Sequence, residues 1–561
     1  MEFQKVESWL HTDGPVIRDQ EGSEILLRGQ GIGNWMVNEG FMLGTTQFGT
    51  DMGPFVRAMP MDRGRTLLSA VEELAGRTYA DRFQKAWVEN YFDEDDIRSI
   101  KELGFNCVRL GLSARLFLEE GPGYTWHQDT FERLDYIIDL CEKYKLYVIL
   151  DMHGACGGQS GVSCDDGPAN RPYMFMSQEN QQRTIELWKK LAERYQGRWI
   201  VAGYELLNEP ISLPFFDGLI PQLTAFYQRC IAAIRTIDTR HMIFLQGTRF
   251  ANRLEIFDHD FDPLCHNWVM VVHLYEKLPD LSVFGAMLEA RDRLNVPVWI
   301  GETGGSVDDG SDVGDQWMAA TFEMAMEYHM GYAVWAHKTV DTCTGAAWLF
   351  GYPMPEGMQP LVDYFYKGTA KPDYQEAVTI LDQLLEAIKW KNCTVNKTRA
   401  AFELRRTGCK VPAACYDPEH EHRGTWKYAL YTGFRREDRT HFAYEKGYRY
   451  PDQGGLNDLR PDKEKYLDMT HILVRLDQGD SVCYTVRELT ARTAVRVTYC
   501  CQQEAEAEIS CGPQEESVCF DKTEQGQKTV LTLEPAQEAV VRIQGKQGSL
   551  DLKSIEFVPE V

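Results

Sequence analysis

Positive charge, paired cysteines, long apolar runs and phosphate-cradling glycine loops are what this 561-residue chain has little of. Lysine and arginine number 59 against 84 acidic residues, a formal net charge of −25 with a pI near 5.0. That balance repels nucleic acid, anionic lipid and polyanionic substrates, so a neutral substrate suits the surface best. The cysteines, fifteen in all and an odd number, are scattered from Cys107 to Cys519 without one Cys-x-x-Cys pair. They read as reduced thiols used as small apolar residues rather than as a disulfide framework or zinc site, and no metal or other cofactor is expected. No apolar run approaches the roughly 20 residues that span a bilayer. The start, Met1-Glu2-Phe3-Gln4-Lys5-Val6-Glu7, has no apolar core of signal-peptide type. The expectation is a cytoplasmic protein with no membrane and no nucleic-acid partner, a trimmed secretory leader being the alternative. With 43% hydrophobic and 12% aromatic residues, disorder as the main state is excluded.

What is present is a succession of short apolar runs with helical patterns between them. The runs are Leu26 to Trp35, Asn106 to Leu112, Tyr147 to Gly154, Val201 to Pro210, Met242 to Thr248, Trp268 to Tyr275, Pro297 to Gly304 and Tyr332 to Lys338. Near-continuous apolarity, rather than alternation, marks parallel strands covered on both faces. Between them Phe131, Leu134, Ile138 and Cys141 share a helical face, as do Leu223, Phe226, Cys230 and Ile234, and a last helix runs through Val378, Leu381, Leu385 and Ile388. Eight strand-helix units predict an α/β fold, a (β/α)8 TIM barrel. The alternative, an open doubly wound sheet, would need a nucleotide or phosphate loop, and no Gly-x-Gly-x-x-Gly follows a strand.

Turn signals at Asp13-Gly14 and Gln20-Glu21-Gly22 make residues 1–25 an N-terminal hairpin packed on the barrel. The barrel is expected over 26–391, with extra structure in the connection of about 70 residues between its first two strands. Residues 392–561 differ in composition. Ser481 to Val486, Ala494 to Tyr499, Lys528 to Leu533, Ala539 to Ile543 and Leu550 to Phe557 alternate in strand fashion, so an all-β sandwich is predicted there.

In such a barrel the working residues sit at the C-terminal ends of the strands. Reading those ends in order gives Arg109, His153, Asn208-Glu209, His273 and Tyr275, Glu302, and Trp335. Each taken singly has an ordinary structural role: a capping arginine, satisfied core histidines, a surface carboxylate, a packed aromatic. Together they put two carboxylates, two histidines and an arginine in one small space, a costly arrangement unless the groups pair with one another and serve a site. Two glutamates across a pocket suit cleavage of a glycosidic bond, one protonating the leaving oxygen while the other attacks or stabilises the anomeric carbon. Physics alone does not say which glutamate plays which part. Arg109 and the Tyr275 hydroxyl are placed to keep one carboxylate ionised, Asn208 to bind a sugar hydroxyl, and Trp335 to face sugar C–H groups. Metal-dependent hydrolysis or isomerisation competes, since Glu209, Glu302, His153 and His273 are all possible ligands, but Arg109 would repel a cation. A non-catalytic sugar-binding barrel is the third reading.

These residues resemble a known family. Val108-Arg109-Leu110, Asp151-Met152-His153-Gly154, Leu207-Asn208-Glu209-Pro210, His273-Leu274-Tyr275, Gly301-Glu302-Thr303-Gly304 and Trp335 look like the successive signature positions of glycoside hydrolase family 5, the cellulase family. The resemblance covers about residues 26–340. It implies a retaining double displacement with Glu209 as acid/base and Glu302 as nucleophile, Arg109 and Tyr275 beside the nucleophile, and His153, Asn208 and His273 lining the site. Asn208 would meet the sugar 2-hydroxyl, Trp335 would floor the subsite of the cleaved sugar, and the two carboxyl groups should lie about 5 to 5.5 Å apart.

Three stretches are most similar to the exo-β-1,3-glucanase-like branch: Arg28 to Trp35 leading to Glu39, His153 to Gly161, and Trp335-Ala336-His337-Lys338-Thr339. The branch implies that Glu39 binds hydroxyls of a terminal sugar, closing the cleft, and Lys338 is counted among the substrate-binding residues. His337 and the loop Val162-Ser163-Cys164-Asp165-Asp166 depart from the pattern, which leaves sugar and linkage open. Asp165 and Asp166 are expected in a solvated loop, contact with substrate being the alternative. The tail from about Gly479 to Phe557 resembles the jelly roll of carbohydrate-binding modules of families 6 and 35, without a tryptophan platform. The expectation as a whole is a metal-independent β-glycosidase acting on β-glucosides or short β-glucans, exo in mode. An endo-acting β-glucanase or β-mannanase is the alternative within the family.

Overall fold

The computed structural model describes residues 6–46, 58–257, 266–275, 281–304, 313–343, 348–417, 423–425, 439–445 and 471–560. Two compact units are present. One comprises residues 1–275, 287–304 and 329–396, the other 276–286, 305–328 and 397–561.

The first unit is built on eight parallel strands: Arg28–Ile32, Cys107–Ser113, Tyr147–Gly154, Val201–Glu205, Met242–Gln246, Trp268–Tyr275, Val298–Gly304 and Gly331–Val334. They pair in sequence order, and the eighth closes on the first through Tyr332 opposite Arg28, giving the TIM barrel expected. Every position of Cys107–Ser113 and of Tyr147–Gly154 is buried, as strands packed between helices outside and side chains inside must be.

Helices cover the outside by apolar stripes. Gln128–Tyr144 buries Phe131, Leu134, Ile137, Ile138 and Cys141, and ends where Lys145 turns left-handed at φ 59°. Gln178–Tyr195 begins where the Ser177 hydroxyl accepts from the Asn180 N–H. The long first connection carries Gly64–Ala75, Arg77–Tyr91 and Glu94–Glu102. The last helix, Tyr374–Ala387, buries Ala377, Ile380, Leu381, Leu384 and Leu385. The N-terminal hairpin pairs Leu10–Asp13 with Val16–Asp19. It is tied to the barrel by the Thr12 N–H donating to Asn267 Oδ1 and by Tyr147 donating to the Ser8 carbonyl.

The second unit is antiparallel. One sheet orders His441–Tyr444, Ile472–Leu476, Leu550–Pro559, Thr493–Cys501 and Thr523–Leu533, with Lys410–Pro412 also on Leu550–Pro559. The other orders Ser481–Leu489, Ala536–Gln547, Ala505–Cys511 and Gln514–Phe520. Val482, Tyr484, Val541 and Ile543 of one sheet share a core with Val474, Val495, Val497 and Phe557 of the other. The sequence reading gave all of 26–391 to the barrel. In the structure the helix Val313–Glu327, which lies in sequence between the seventh and eighth strands, is part of this second unit. Its Glu323 takes two hydrogen bonds from Arg487, at 3.0 and 2.9 Å, and stands 3.4 Å from Arg405. Arg405 also binds Asp417 at 2.7 Å, and the second oxygen of Asp417 accepts from Thr485.

Candidate active site

Inward-facing residues at the ends of the third, fourth and seventh barrel strands converge on Arg109 of the second. Its Nε and Nη2 donate to the two oxygens of Glu205 at 2.7 and 2.9 Å, Nη1 to Glu302 Oε1 at 2.7 Å, and Nη2 also to Asn208 Oδ1 at 2.7 Å. Asp151 Oδ2 lies 3.1 Å from Nη2. A fully buried guanidinium with this many acceptors is a fixed positive centre around which the carboxylates are arranged.

Protonation states follow from these bonds. Asn208 Oδ1 accepts from Arg109, so its amide nitrogen is the donor to His153 Nε2, 3.3 Å away. His153 therefore carries its proton on Nδ1 and donates it to Asp151 at 2.7 Å. The same logic applies at His273. Gln246 Oε1 accepts from the Glu209 backbone N–H, so Gln246 Nε2 donates to Glu205 and faces His273 Nε2 at 3.1 Å, leaving Nδ1 to donate to Glu209 Oε1 at 2.7 Å. Burial pushes both histidines down to about 4, which keeps them neutral and available as directed donors at neutral pH.

The two glutamates are held differently. Glu302 receives Arg109 on one oxygen and the Tyr275 hydroxyl on the other, at 2.7 Å each. Burial and the nearby Glu302 charge keep the Tyr275 phenol far above its ordinary value, so it is a permanent donor. Among the described residues Glu209 has no cation bonded to it. Burial pushes it up to about 7, against the fields of His153 and Arg109 and a contact from Cys164. His153, neutral above about pH 4, gives it no cationic help near neutrality. Burial likewise raises Asp151 to about 7 in spite of Arg109. The Glu209 backbone is in the left-handed region at φ 42°, an uncommon conformation for a residue with a side chain, and its N–H is fixed by Gln246 at 2.6 Å. A carboxylate oxygen of Glu209 and one of Glu302 lie within 4.8 Å of one another, with His273 Nδ1 between them at 2.7 and 3.4 Å. The same three residues have the spacing of metal ligands, but their facing atoms already hold hydrogen bonds from His273, Arg109 and Tyr275, which a cation would have to displace.

Trp335 lies against His153, ring centroids 5.1 Å apart and planes within 1°. Room for the indole is made by two glycines of the first strand region: a Cβ on Gly31 or on Gly33 would fall 2.6 Å from its ring atoms. Glu39 is buried at the start of the short helix Gly40–Leu43, and its charge is felt by both the Tyr275 phenol and the Cys164 thiol, which places it about the same space.

Among the residues expected from sequence, Arg109, His153, Asn208, Glu209, His273, Tyr275, Glu302 and Trp335 are thus brought together, with Glu39 beside them. Lys338 is not. Its ammonium is buried 2.6 Å from Asp96 Oδ1 and donates to the carbonyls of Tyr91 at 2.6 Å and Ile388 at 3.0 Å, which leaves nothing for a substrate. His337 shares Asp96 at 2.9 Å and packs between Phe92 and Phe350. Asp165 and Asp166, expected in a solvated loop, are buried. Asp165 accepts from the Ser160 and Gly167 N–H groups, and Asp166 pairs with Arg115 and the Arg65 N–H. Four members were not singled out from sequence, Asp151 among them, two residues before His153 on the third strand. Glu205 and Gln246 were readable by the strand-end rule, four residues before Glu209 and at the end of the fifth strand. Cys164, whose thiol reaches Glu209, carries no such signal.

The model of the Cellulase family (glycosyl hydrolase family 5) matches residues 71–340. A β-xylosidase of Phanerodontia chrysosporium is 32% identical over 278 residues, 50% of this chain and 53% of that protein. A glucan 1,3-β-glucosidase of Candida oleophila is 29% identical over 247 residues, 43% and 53% of the two chains. The matches span about half the length of these relatives. Among solved structures, an endogalactoceramidase aligns over 98% of this chain and 100% of its own at 16% identity and a TM-score of 0.47. An endoglucanase of Thermotoga maritima aligns over 53% of this chain and 91% of its own at 18% identity and a TM-score of 0.37.

Proposed function

From a chain that carries a cellulase domain of glycosyl hydrolase family 5 over residues 71–340, we propose a retaining β-glycosidase that hydrolyses β-glucosides or short β-glucans from the chain end. The observation that carries this reading is the unequal pair Glu209 and Glu302, with oxygens within 4.8 Å, one raised to about 7 and the other held by Arg109 and Tyr275. That spacing supports retention, since inversion needs carboxyl groups roughly 6.5 to 9.5 Å apart to admit a water.

In this mechanism Glu302 attacks the anomeric carbon while Glu209, protonated near neutral pH, gives its proton to the departing oxygen. Charge leaves Glu302 as the glycosyl-enzyme forms, and Arg109 remains neutralised by Glu205, which it binds through both oxygens. Glu209, now ionised, takes a proton from the water that releases the sugar. His273, whose Nδ1–H lies between the carboxylates, stabilises whichever carries charge. Asn208, oriented by Arg109 and His153, is placed for a sugar hydroxyl, and Trp335 for the sugar's C–H face. Glu39 supports exo action as a buried acceptor for the hydroxyls of a terminal sugar. The buried free thiols support a reducing, intracellular setting. A panel of aryl β-glycosides with glucose, mannose, galactose and xylose tests the proposal. Turnover fastest on a β-glucoside is expected, and no turnover on any member would overturn the reading.

A further inference from the structure

We propose that Cys164 is a positioning residue for Glu209, its thiol donating to the second carboxyl oxygen of that side chain and setting where and how firmly the transferable proton is held. The inference rests on the reading of Glu209 as the acid/base. Among the described residues two donors reach the Glu209 carboxyl group, His273 Nδ1 on Oε1 at 2.7 Å and Cys164 Sγ on Oε2 at 3.7 Å. Cys164 is buried, in the short turn Ser163–Asp165 of the loop that follows the third strand.

The loop is pinned so that the thiol has little freedom. Asp165 closes it by accepting from the Ser160 N–H and hydroxyl at 2.7 and 2.8 Å and from the Gly167 N–H at 2.8 Å. Arg63 holds the Gly167 carbonyl at 3.1 Å and Asn170 at 2.6 Å, and Arg65 holds the Asp166 carbonyl at 2.7 Å. The Ile211 and Ser212 N–H groups donate to the Gln159 and Ser160 carbonyls, which ties the loop to the segment that carries Glu209.

The choice of sulfur has a chemical consequence. A thiol is a weak donor and a weak acceptor. It orients Oε2 without holding the carboxylate strongly ionised, and it competes poorly for the proton once Oε2 carries one, leaving that proton free for the glycosidic oxygen. Burial, with Glu209, Asp165 and Glu39 nearby, keeps the thiol protonated and so a donor at every working pH. Among the described residues, the charged and titratable groups that face Glu209 are otherwise Arg109 from the second strand, Asp151 and His153 from the third, His273 and Tyr275 from the sixth and Glu302 from the seventh. None of them changes when Cys164 is replaced.

The test is the pH dependence of kcat/KM on an aryl β-glycoside for wild type, Cys164→Val and Cys164→Ser. Valine fills the space without a donor, so the alkaline limb should move up by about half a pH unit. Serine keeps a donor and should place the limb below that of the valine variant. A purely structural role would lower activity or stability in both variants and leave the limb where it is in wild type, and that result overturns the proposal. If the valine variant fails to fold, Cys164→Ala replaces it with the same expectation. Glu209→Gln is measured in parallel on a substrate with a good leaving group. A limb that persists there overturns the acid/base reading and this inference with it. A limb lost there but unmoved in the Cys164 variants overturns this inference alone.

Discussion

Replacing Glu209 by glutamine should cost the protein its acid catalyst and stabilise its fold, and the second effect has a magnitude that follows from the burial of the site. An ordinary glutamate titrates near 4.5, and burial pushes Glu209 up to about 7. Below about pH 4.5 the carboxyl is protonated folded or unfolded and contributes no difference. Between about 4.5 and 7 the folded state keeps the proton that the unfolded state has released, so stability falls as pH rises through that window. Above about 7 the whole penalty is present, roughly 3 kcal/mol. Glutamine has the same shape and no charge, so it should escape the penalty. The stability gain of Glu209→Gln over wild type should therefore grow from about 1 kcal/mol at pH 5.5 to about 3 kcal/mol at pH 8.5. Urea unfolding followed by tryptophan emission reads this well, because most of the thirteen tryptophans lie in the barrel unit. A gain that does not depend on pH, or a variant less stable than wild type at pH 8.5, would show that Glu209 is not a desolvated acid.

Other perturbations test separate parts of the account. Wild-type kcat/KM should fall above about pH 7 as Glu209 loses its proton, and hold down toward about 4, where His153 and His273 begin to charge. Glu302→Gln should lower turnover by several orders of magnitude with an unchanged circular dichroism spectrum, and near-normal turnover would remove Glu302 from the chemistry. Gly33→Ala drives a methyl to 2.6 Å from the Trp335 ring and should lower kcat/KM roughly tenfold or more by displacing it. In the second unit, Glu323→Ala takes a partner from the half-buried Arg487 and from the buried Arg405, and should destabilise that unit by roughly 3 kcal/mol, seen as a lower urea midpoint. Activity should survive exhaustive treatment with a chelator.

The barrel was legible because parallel strands buried on both faces leave long apolar runs, and eight of them in order define one closed sheet. The site was legible because the strands' C-terminal ends share a rim. The rim rule brings Arg109 to one of the two carboxylates, and the family resemblance is what names that carboxylate as Glu302. The same rule failed at Lys338. It follows the eighth strand but sits beyond the point where the chain turns away from the pocket, and a buried Asp96 from a distant helix takes its charge. Asp165 and Asp166 misled for a related reason. Acidic residues in a loop read as solvated, and only the fold brings Arg65 and Arg115 onto Asp166 and the charge of Arg63 near both from other segments. The helix Val313–Glu327 could not be assigned to the second unit from its own pattern, because the arginine that binds Glu323 most closely lies more than a hundred residues later.

The central claim, that Glu302 attacks and Glu209 serves it, is tested most directly by finding which residue carries the sugar. Incubation with an activated 2-deoxy-2-fluoro-β-glucoside, followed by proteolysis and mass spectrometry, should place one fluoroglucosyl group on the peptide that contains Glu302 and on that residue. A sugar carried by Glu209, or steady hydrolysis with no covalent sugar on the protein, would contradict the account.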